Sequence, residues 1–238
     1  MAYKHKDSQH DLDQPSIVVP HILEIIRPKS VLDIGCGYGN WLKVFKNSGA
    51  MEILGVDGDY VEKEKRRRFI SDEEFFPYDL SKELNLGRKF DLAISLEVAE
   101  HIPASSADAF VKSLVNHADT IVFSAAIPNQ GGQNHFNEQP LGYWIKKFQS
   151  HGYHFYDPFR SAIWDEKDLF AWYKQNMILF SKTELKLPLK VGPIEMVHPD
   201  TLKSKQKFQD AYQELVTGKA GLSKSFKVFL KSLLNIFK

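Results

Sequence analysis

A doubly wound α/β architecture is the fold class this sequence predicts: a mostly parallel sheet of about seven strands with helices on both faces. Three observations predict it. From Ser30 onward, short β-branched apolar runs (SVLDIG, EILGVD, FDLAISL, TIVFSAA) alternate with longer amphipathic stretches, the rhythm of strand and crossover helix. The first run passes directly into a glycine-rich turn, Gly35 to Gly39, and then into a helical pattern. With 43% hydrophobic and 26% charged residues among 238, the chain has enough apolar surface for one ordinary core, and it carries no repeat or low-complexity tract.

The elements follow in order. Residues 1–15 read as a loose polar arm, and Pro15 with the SIVVPHILEII pattern behind it forms a lead-in helix stopped by Pro28. Residues 1–29 are thus arm and helix, and 30–182 form the main domain. Within it, a weaker strand lies between Phe69 and Leu80. HGYHFYD and QNMILFS are the last strands, a hairpin-like pair separated by a helical stretch. A helix is expected after each of the earlier strands. One would carry Lys63 to Arg68 (KEKRRR) as a solvated face; another would start at Leu80 or Ser81, with Asp79 as its cap. Trp144, Tyr153, Phe155, Tyr156, Trp164 and Trp172 are expected mostly in the core. Residues 183–238 are a Pro-rich connector and a helical extension. Beyond Gly218 come Lys219, Lys224, Lys227, Lys231 and Lys238 with no acid. Leu222, Phe226, Phe229, Leu230, Leu233 and Phe237 fall near one face of this basic amphipathic helix, which suits its own domain, a partner protein or an anionic membrane surface.

Charge and cysteine content narrow the function. Thirty-one Lys+Arg against 30 Asp+Glu leave a formal charge of +1, so no global field draws the chain onto nucleic acid. A single cysteine, Cys36, excludes an internal disulfide and a multi-thiolate zinc site. The polar start has no apolar signal core, and no run reaches membrane-spanning length. A cytoplasmic protein is expected, in peripheral membrane contact at most.

The strongest chemical signal is Val31-Leu-Asp-Ile-Gly-Cys-Gly-Tyr-Gly-Asn-Trp41. Glycines let the backbone approach a ligand closely, and the following helix start offers free N–H donors. The spacing decides which ligand. A dinucleotide site wants G-x-G-x-x-G, whereas Gly35, Gly37 and Gly39 give G-x-G-x-G, with Asn40 at the third glycine place. Asp33, two residues before the turn, would repel a pyrophosphate but suits a ligand carrying an ammonium and a sulfonium. Asp57, at the end of the next strand, is placed for a bidentate hydrogen bond to a diol.

On these residues the chain resembles the class I S-adenosylmethionine-dependent methyltransferases, from about Ser30 to Lys182. The resemblance implies their Rossmann-like fold and S-adenosylmethionine as cofactor. It also implies a cofactor site: Asp33, Gly35, Cys36, Gly37, Gly39 and Trp41 at the first turn, Asp57 and Gly58 at the second, Asp79 and Leu80 by the adenine, and Leu96 and Glu97 beside the methyl group. The run Phe90-Asp-Leu-Ala-Ile-Ser-Leu-Glu-Val-Ala-Glu-His-Ile-Pro103 is similar to the family's fourth-strand motif, with Glu97 and His101 as its polar positions.

After the fifth strand, Ala125 to Pro140 (AAIPNQGGQNHFNEQP) is a long amide-rich loop. At the carboxyl edge of a parallel sheet it lies over the crevice as a substrate lid. His135 is the first choice as general base, with Glu138 or His101 as substitutes; alternatively, His135, Asn137 and Glu138 hold the loop shut and cap the next helix. His135 and Glu138 alone are too few ligands for a metal site, and none is expected. The loop resembles the GG-x-x-H-x-NEQ stretch of methyltransferases found alongside bacterial glycan-building enzymes. Ser95-Leu96-Glu97-Val98 stand where methyltransferases acting on base or amide nitrogens carry an Asn/Asp-Pro-Pro-aromatic sequence, which disfavours a nitrogen acceptor. The expectation is methyl transfer to a hydroxyl of a small molecule or glycan. Open alternatives are a lipid or quinone intermediate at a membrane surface, a protein or nucleic-acid acceptor, which the charge balance disfavours, and a non-catalytic S-adenosylmethionine-binding scaffold.

Overall fold

Continuous apolar runs bury strands on both faces, and the sheet's centre is built from them. In the computed structural model, which describes residues 10–187 and 194–236, β1 (Ser30–Ile34), β4 (Leu92–Leu96) and β5 (Thr120–Ser124) are buried almost throughout. The seven strands run in the order β3-β2-β1-β4-β5-β7-β6. β2 (Glu52–Asp57) and β3 (Phe75–Pro77) complete the parallel part, with Asp33 opposite Gly55 and Asp57 opposite Pro77. β7 (Ile178–Ser181) runs antiparallel to both β5 and β6 (His154–Tyr156). The expected antiparallel last pair is present, with β7 inserted between β5 and β6. Composition gives the reason: ILFS is apolar at every position but the last and is buried throughout, whereas HFY grades from exposed to buried, as an edge strand does.

Helices cover both faces. α1 (Asp13–Ile25) and α2 (Asn40–Asn47) pack with α6 (Phe159–Ile163) and α7 (Ala171–Asn176) around Val18, Ile22, Trp41, Phe45 and Tyr156. α4 (Ala107–Val115) and α5 (Leu141–Ser150) cover the other face around Phe110, Leu114, Trp144 and Phe148. Phe148 stacks on Phe180 with ring centroids 4.0 Å apart. Removing such a buried ring leaves a cavity as well as losing transfer energy, so Phe180→Ala is expected to destabilise the fold by about 3–5 kcal/mol, measurable by denaturant unfolding.

Several expectations change. The lead-in helix starts at Asp13, before Pro15. The arm is not loose from residue 10 on: the His10 ring lies 4.7 Å from that of Tyr38, and Asn40 Nδ2 donates to the Asp11 carbonyl. Residues 1–9 of the arm lie outside the described residues. No helix follows β3; Asp79 caps a turn instead, accepting from Ser81 N and Oγ. The KEKRRR run forms only a short α3 (Lys63–Arg66) and is not a plain solvated face. Arg66 is buried over the Phe75 ring and bonds Asp72 and the Ser71 carbonyl through its two terminal nitrogens, because a guanidinium can stack by its face while its edge donates; Nε is left without a partner. Of the aromatic residues expected in the core, Trp144, Tyr153 and Tyr156 are buried, while Phe155, Trp164 and Trp172 are half-buried.

Two compact units are present, Met1–Met196 and Val197–Lys238, so the first reaches past the expected boundary at 182. Glu195 shows why: its carboxylate accepts the Leu141 and Gly142 N–H groups at 3.2 and 3.0 Å and so caps α5. The second unit holds α8 (Pro199–Val216) and α9 (Leu222–Ile236). α9 exposes Leu222, Phe226, Phe229 and Leu230. Connector residues 188–193, the side chains of Leu233 and Phe237, and Lys238 lie outside the described residues. No helix among the described residues is long and apolar enough to cross a membrane.

Candidate active site

The turn after β1 needs its glycines for close packing. Gly35 has φ +91°, and a Cβ there would lie 2.3 Å from Val98 at the end of β4. Gly39 has φ +84°, with a Cβ position only 2.7 Å from Ile70. Asp57 ties this turn to β2: Gly37 N–H donates to Oδ2 at 2.8 Å, while Gly58 N–H (2.7 Å) and the Tyr60 hydroxyl (2.9 Å) donate to Oδ1. Burial raises the Asp57 pKa against the pull of these donors. Asp33 differs. It is 3% exposed and accepts no hydrogen bond from any described residue, and burial followed by the Asp57 charge holds its pKa well above the usual carboxylate range.

A cleft of about 870 Å³ opens at the carboxyl edge of the sheet, where ligands of open α/β sheets sit. Of the residues expected to bind cofactor, Gly35, Asp57, Gly58, Asp79, Leu80, Leu96 and Glu97 line it. Asp33, Cys36, Gly37, Gly39 and Trp41 do not; Asp33 lies two residues before Gly35, the residue of the turn that reaches the cleft. Cys36 packs beneath β2, where a Cβ on Gly55 would meet its Sγ at 2.6 Å, and Trp41 stands edge-on to Tyr173 at 5.2 Å. These two are consumed by the core because the helix after the turn needs an apolar underside. Asp79 lines the cleft, but its carboxylate is exposed and held by Ser81, which lowers its pKa.

At the other end, β4 runs into Glu97, which adopts φ 57°, a conformation a non-glycine residue takes only when its surroundings hold it there. Its carboxylate accepts from Gln130 Nε2 (2.8 Å) and Asn176 Nδ2 (3.0 Å). Enclosure pushes its pKa up to about 7. Asn176 also donates to Gln130 Oε1, which accepts from Gln175 as well. Neither Gln175 nor Asn176, at the end of α7, was singled out in the sequence; two buried amides directly before an apolar strand are the signal that could have found them. His10 and Tyr173 are further cleft residues without a sequence signal, and Trp172, one of the aromatic residues expected mostly in the core, lines the cleft as well.

The loop from Ala125 to Pro140 lies over the cleft through Gln130 to Phe136. It is fastened to the 3-10 turn Ala99–His101 by Phe136 and Asn137 N–H groups, which donate to the Glu100 carbonyl at 2.9 and 3.0 Å. This places the His135 ring 4.9 Å from that of His101, edge-on. His135 Nδ1 lies 2.8 Å from Glu138 Oε1, so it carries the proton and donates, leaving the Nε2 lone pair. Burial pushes the His101 pKa down to about 4, so that ring is neutral near pH 7. Glu100 is 1% exposed; burial and then the Glu97 charge raise its pKa. The three residues expected to do chemistry, His135, Glu138 and His101, therefore stand together. Asn137 is buried and does not cap α5, a role taken by Glu195.

Strand order, a glycine turn after β1 and a carboxylate at the end of β2 together define the Rossmann-like fold of the methyltransferases. The chain belongs to the methyltransferase domain family, whose model matches residues 17–157. Similar solved structures include the methyltransferase domain of bacterial CtHen1 (22% identity, 73% of this chain and 98% of that one, TM-score 0.52). The sugar N-methyltransferase KedS8 of Streptoalloteichus sp ATCC 53650 is 13% identical over 77% of this chain and 95% of its own, with TM-score 0.58. Magnesium protoporphyrin IX methyltransferase of Synechocystis PCC 6803, solved with bound SAM, is 18% identical over 77% and 87%, with TM-score 0.50. No curated protein sequence matches the chain.

Proposed function

We propose that this protein transfers a methyl group from S-adenosylmethionine to a hydroxyl of a small molecule or glycan. One observation carries the cofactor reading. Asp33 is a buried carboxylate with no donor among the described residues, set beside a glycine turn and close enough to feel the charge of Asp57. A buried charge needs a partner, and an ammonium supplies one. Asp33 would hold the ammonium of the cofactor, Asp57 its ribose hydroxyls and Leu80 its adenine face, with Asp79 at the amino group once turned from Ser81. When bound, S-adenosylmethionine supplies an electrophilic methyl on sulfur, so that the acceptor oxygen's electron pair forms the O–C bond as the C–S pair returns to sulfur.

The protein's remaining work is to align the acceptor and remove its proton. Removal depends on His135, fixed by Glu138 and flanked by His101, in the part of the cleft lined by the loop after β5. Gly132 sets the ring's position: a Cβ there would fall 2.1 Å from His135 Nε2. Gly132→Ala is therefore expected to displace the imidazole and lower turnover by about a hundredfold, with cofactor affinity unchanged; steady-state kinetics beside a binding titration check this.

Calorimetric titration with S-adenosylhomocysteine, with NAD as counter-ligand, tests the cofactor reading. Micromolar binding of the first alone supports it, and binding of neither to the folded protein overturns it. The exposed face of α9 favours a second reading for the acceptor, a lipid-linked intermediate: Leu222, Phe226, Phe229 and Leu230 accompany Lys219, Lys224, Lys227 and Lys231. Truncation after Gly218 would then abolish binding to anionic liposomes.

A further inference from the structure

We infer that Glu100, His101 and His135 form a binding site for a first-row divalent cation, and that this cation holds the acceptor's hydroxyl oxygen. One ligand atom from each of the three lies within 4.8 Å of those of the other two. That spread is a little wider than the ligand separations in a closed coordination shell, so a small inward movement of side chains completes it. Two of the three groups come from one short turn after β4 and the third from the loop after β5. The backbone hydrogen bonds from Phe136 and Asn137 to Glu100 join the two segments, so the grouping is part of the fold.

An independent observation points to a ligand. Glu100 Oε2 is enclosed and has no hydrogen-bond partner, although the residue is only 1% exposed. Buried carboxylate oxygens are otherwise almost always paired. Glu97 cannot serve in its place, since both of its oxygens are engaged by Gln130 and Asn176. The third support is the orientation of His135. Its Nδ1–H is directed at the Glu138 carboxylate, the arrangement that fixes a ligating imidazole and makes its other nitrogen more basic. Glu138 in turn accepts the Gly131 N–H, which holds it in place.

Two imidazoles and one carboxylate suit manganese, iron, cobalt or zinc better than calcium or magnesium, and three protein ligands leave positions open. A hydroxyl oxygen bound there becomes more acidic. Its proton passes to water at the open side of the cleft, and the oxygen keeps the electron pair that forms the bond to the methyl carbon. His135 then serves proton removal as a ligand. This departs from the expectation of no metal, which considered only His135 and Glu138; the fold adds Glu100 and His101.

The role assigned to the cation rests on the proposed hydroxyl acceptor, whereas cation binding can be tested without it. The full chain, stripped with chelator, is titrated with Mn2+ and followed by the loss of the free-ion electron paramagnetic resonance signal. Binding of one ion per chain is expected, weakened at least about tenfold in Glu100→Gln and in His135→Ala and less in Glu138→Gln. Thermal melting and S-adenosylhomocysteine titration of each variant establish that it is folded. No Mn2+ or Co2+ binding by a chain that binds S-adenosylhomocysteine overturns the inference, as does binding that is the same in both ligand variants. Mn2+ binding without S-adenosylhomocysteine binding leaves the cation site standing and removes the cofactor reading.

Discussion

His135→Ala is expected to lower methyl transfer by about 10²- to 10⁴-fold, the range over which a positioned proton-removing group acts, while S-adenosylhomocysteine binds as it does to the parent chain. The separation of effects follows from the geometry. His135 belongs to the loop after β5 and is tied to Glu138 and the Glu100 turn, whereas the proposed cofactor end is built from the turns after β1 and β2. Single-turnover measurement with saturating cofactor reads the chemical step directly. An unchanged rate with intact cofactor affinity would remove His135 from the mechanism.

Asp57→Ala should act on binding rather than on the chemical step alone: cofactor affinity falls, and turnover falls with it. Two hydrogen bonds from ribose hydroxyls to a carboxylate are together worth about 3 kcal/mol or more, roughly a hundredfold in dissociation constant. The same carboxylate anchors Gly37 and Gly58 N–H groups, so the turn itself loosens in this variant. Asp57→Asn separates the two contributions. The amide keeps one acceptor oxygen for the backbone but cannot accept from both hydroxyls and both N–H groups. Calorimetry on the two variants, with melting temperatures beside it, is the check; equal affinity in Asp57→Asn and the parent chain would show that Asp57 is a strut for the turn only.

Some features were legible because they are local. β1, β2, β4 and β5 are short runs whose apolar pattern shows burial, and Gly35 and Gly39 mark a turn where only glycine fits against Val98 and Ile70. Asp57 closes β2 at the carboxyl edge of the sheet, where the crevice of an open α/β sheet lies, so its strand position alone could place it, whereas Leu96 follows from the resemblance to the family. Cys36 and Trp41 could not be placed in this way. A helix start presents alternate residues to ligand and to core, and the choice depends on what packs beneath; here β2 lies under Cys36 and Tyr173 beside Trp41.

The sequence by itself therefore determined the fold class and the side of the sheet on which the site lies. It also marked His101, His135 and Glu138 as the titratable groups to watch. Only the tertiary structure decided which groups meet. Placing β5 beside β4 brings the loop of His135 onto the turn of Glu100 and His101. With β7 inserted beside β5, the end of α7 carries Asn176 to Glu97. These contacts join segments far apart in the chain. They are fixed by strand order and by the need to satisfy buried polar groups, neither of which has a signature within any one stretch of residues.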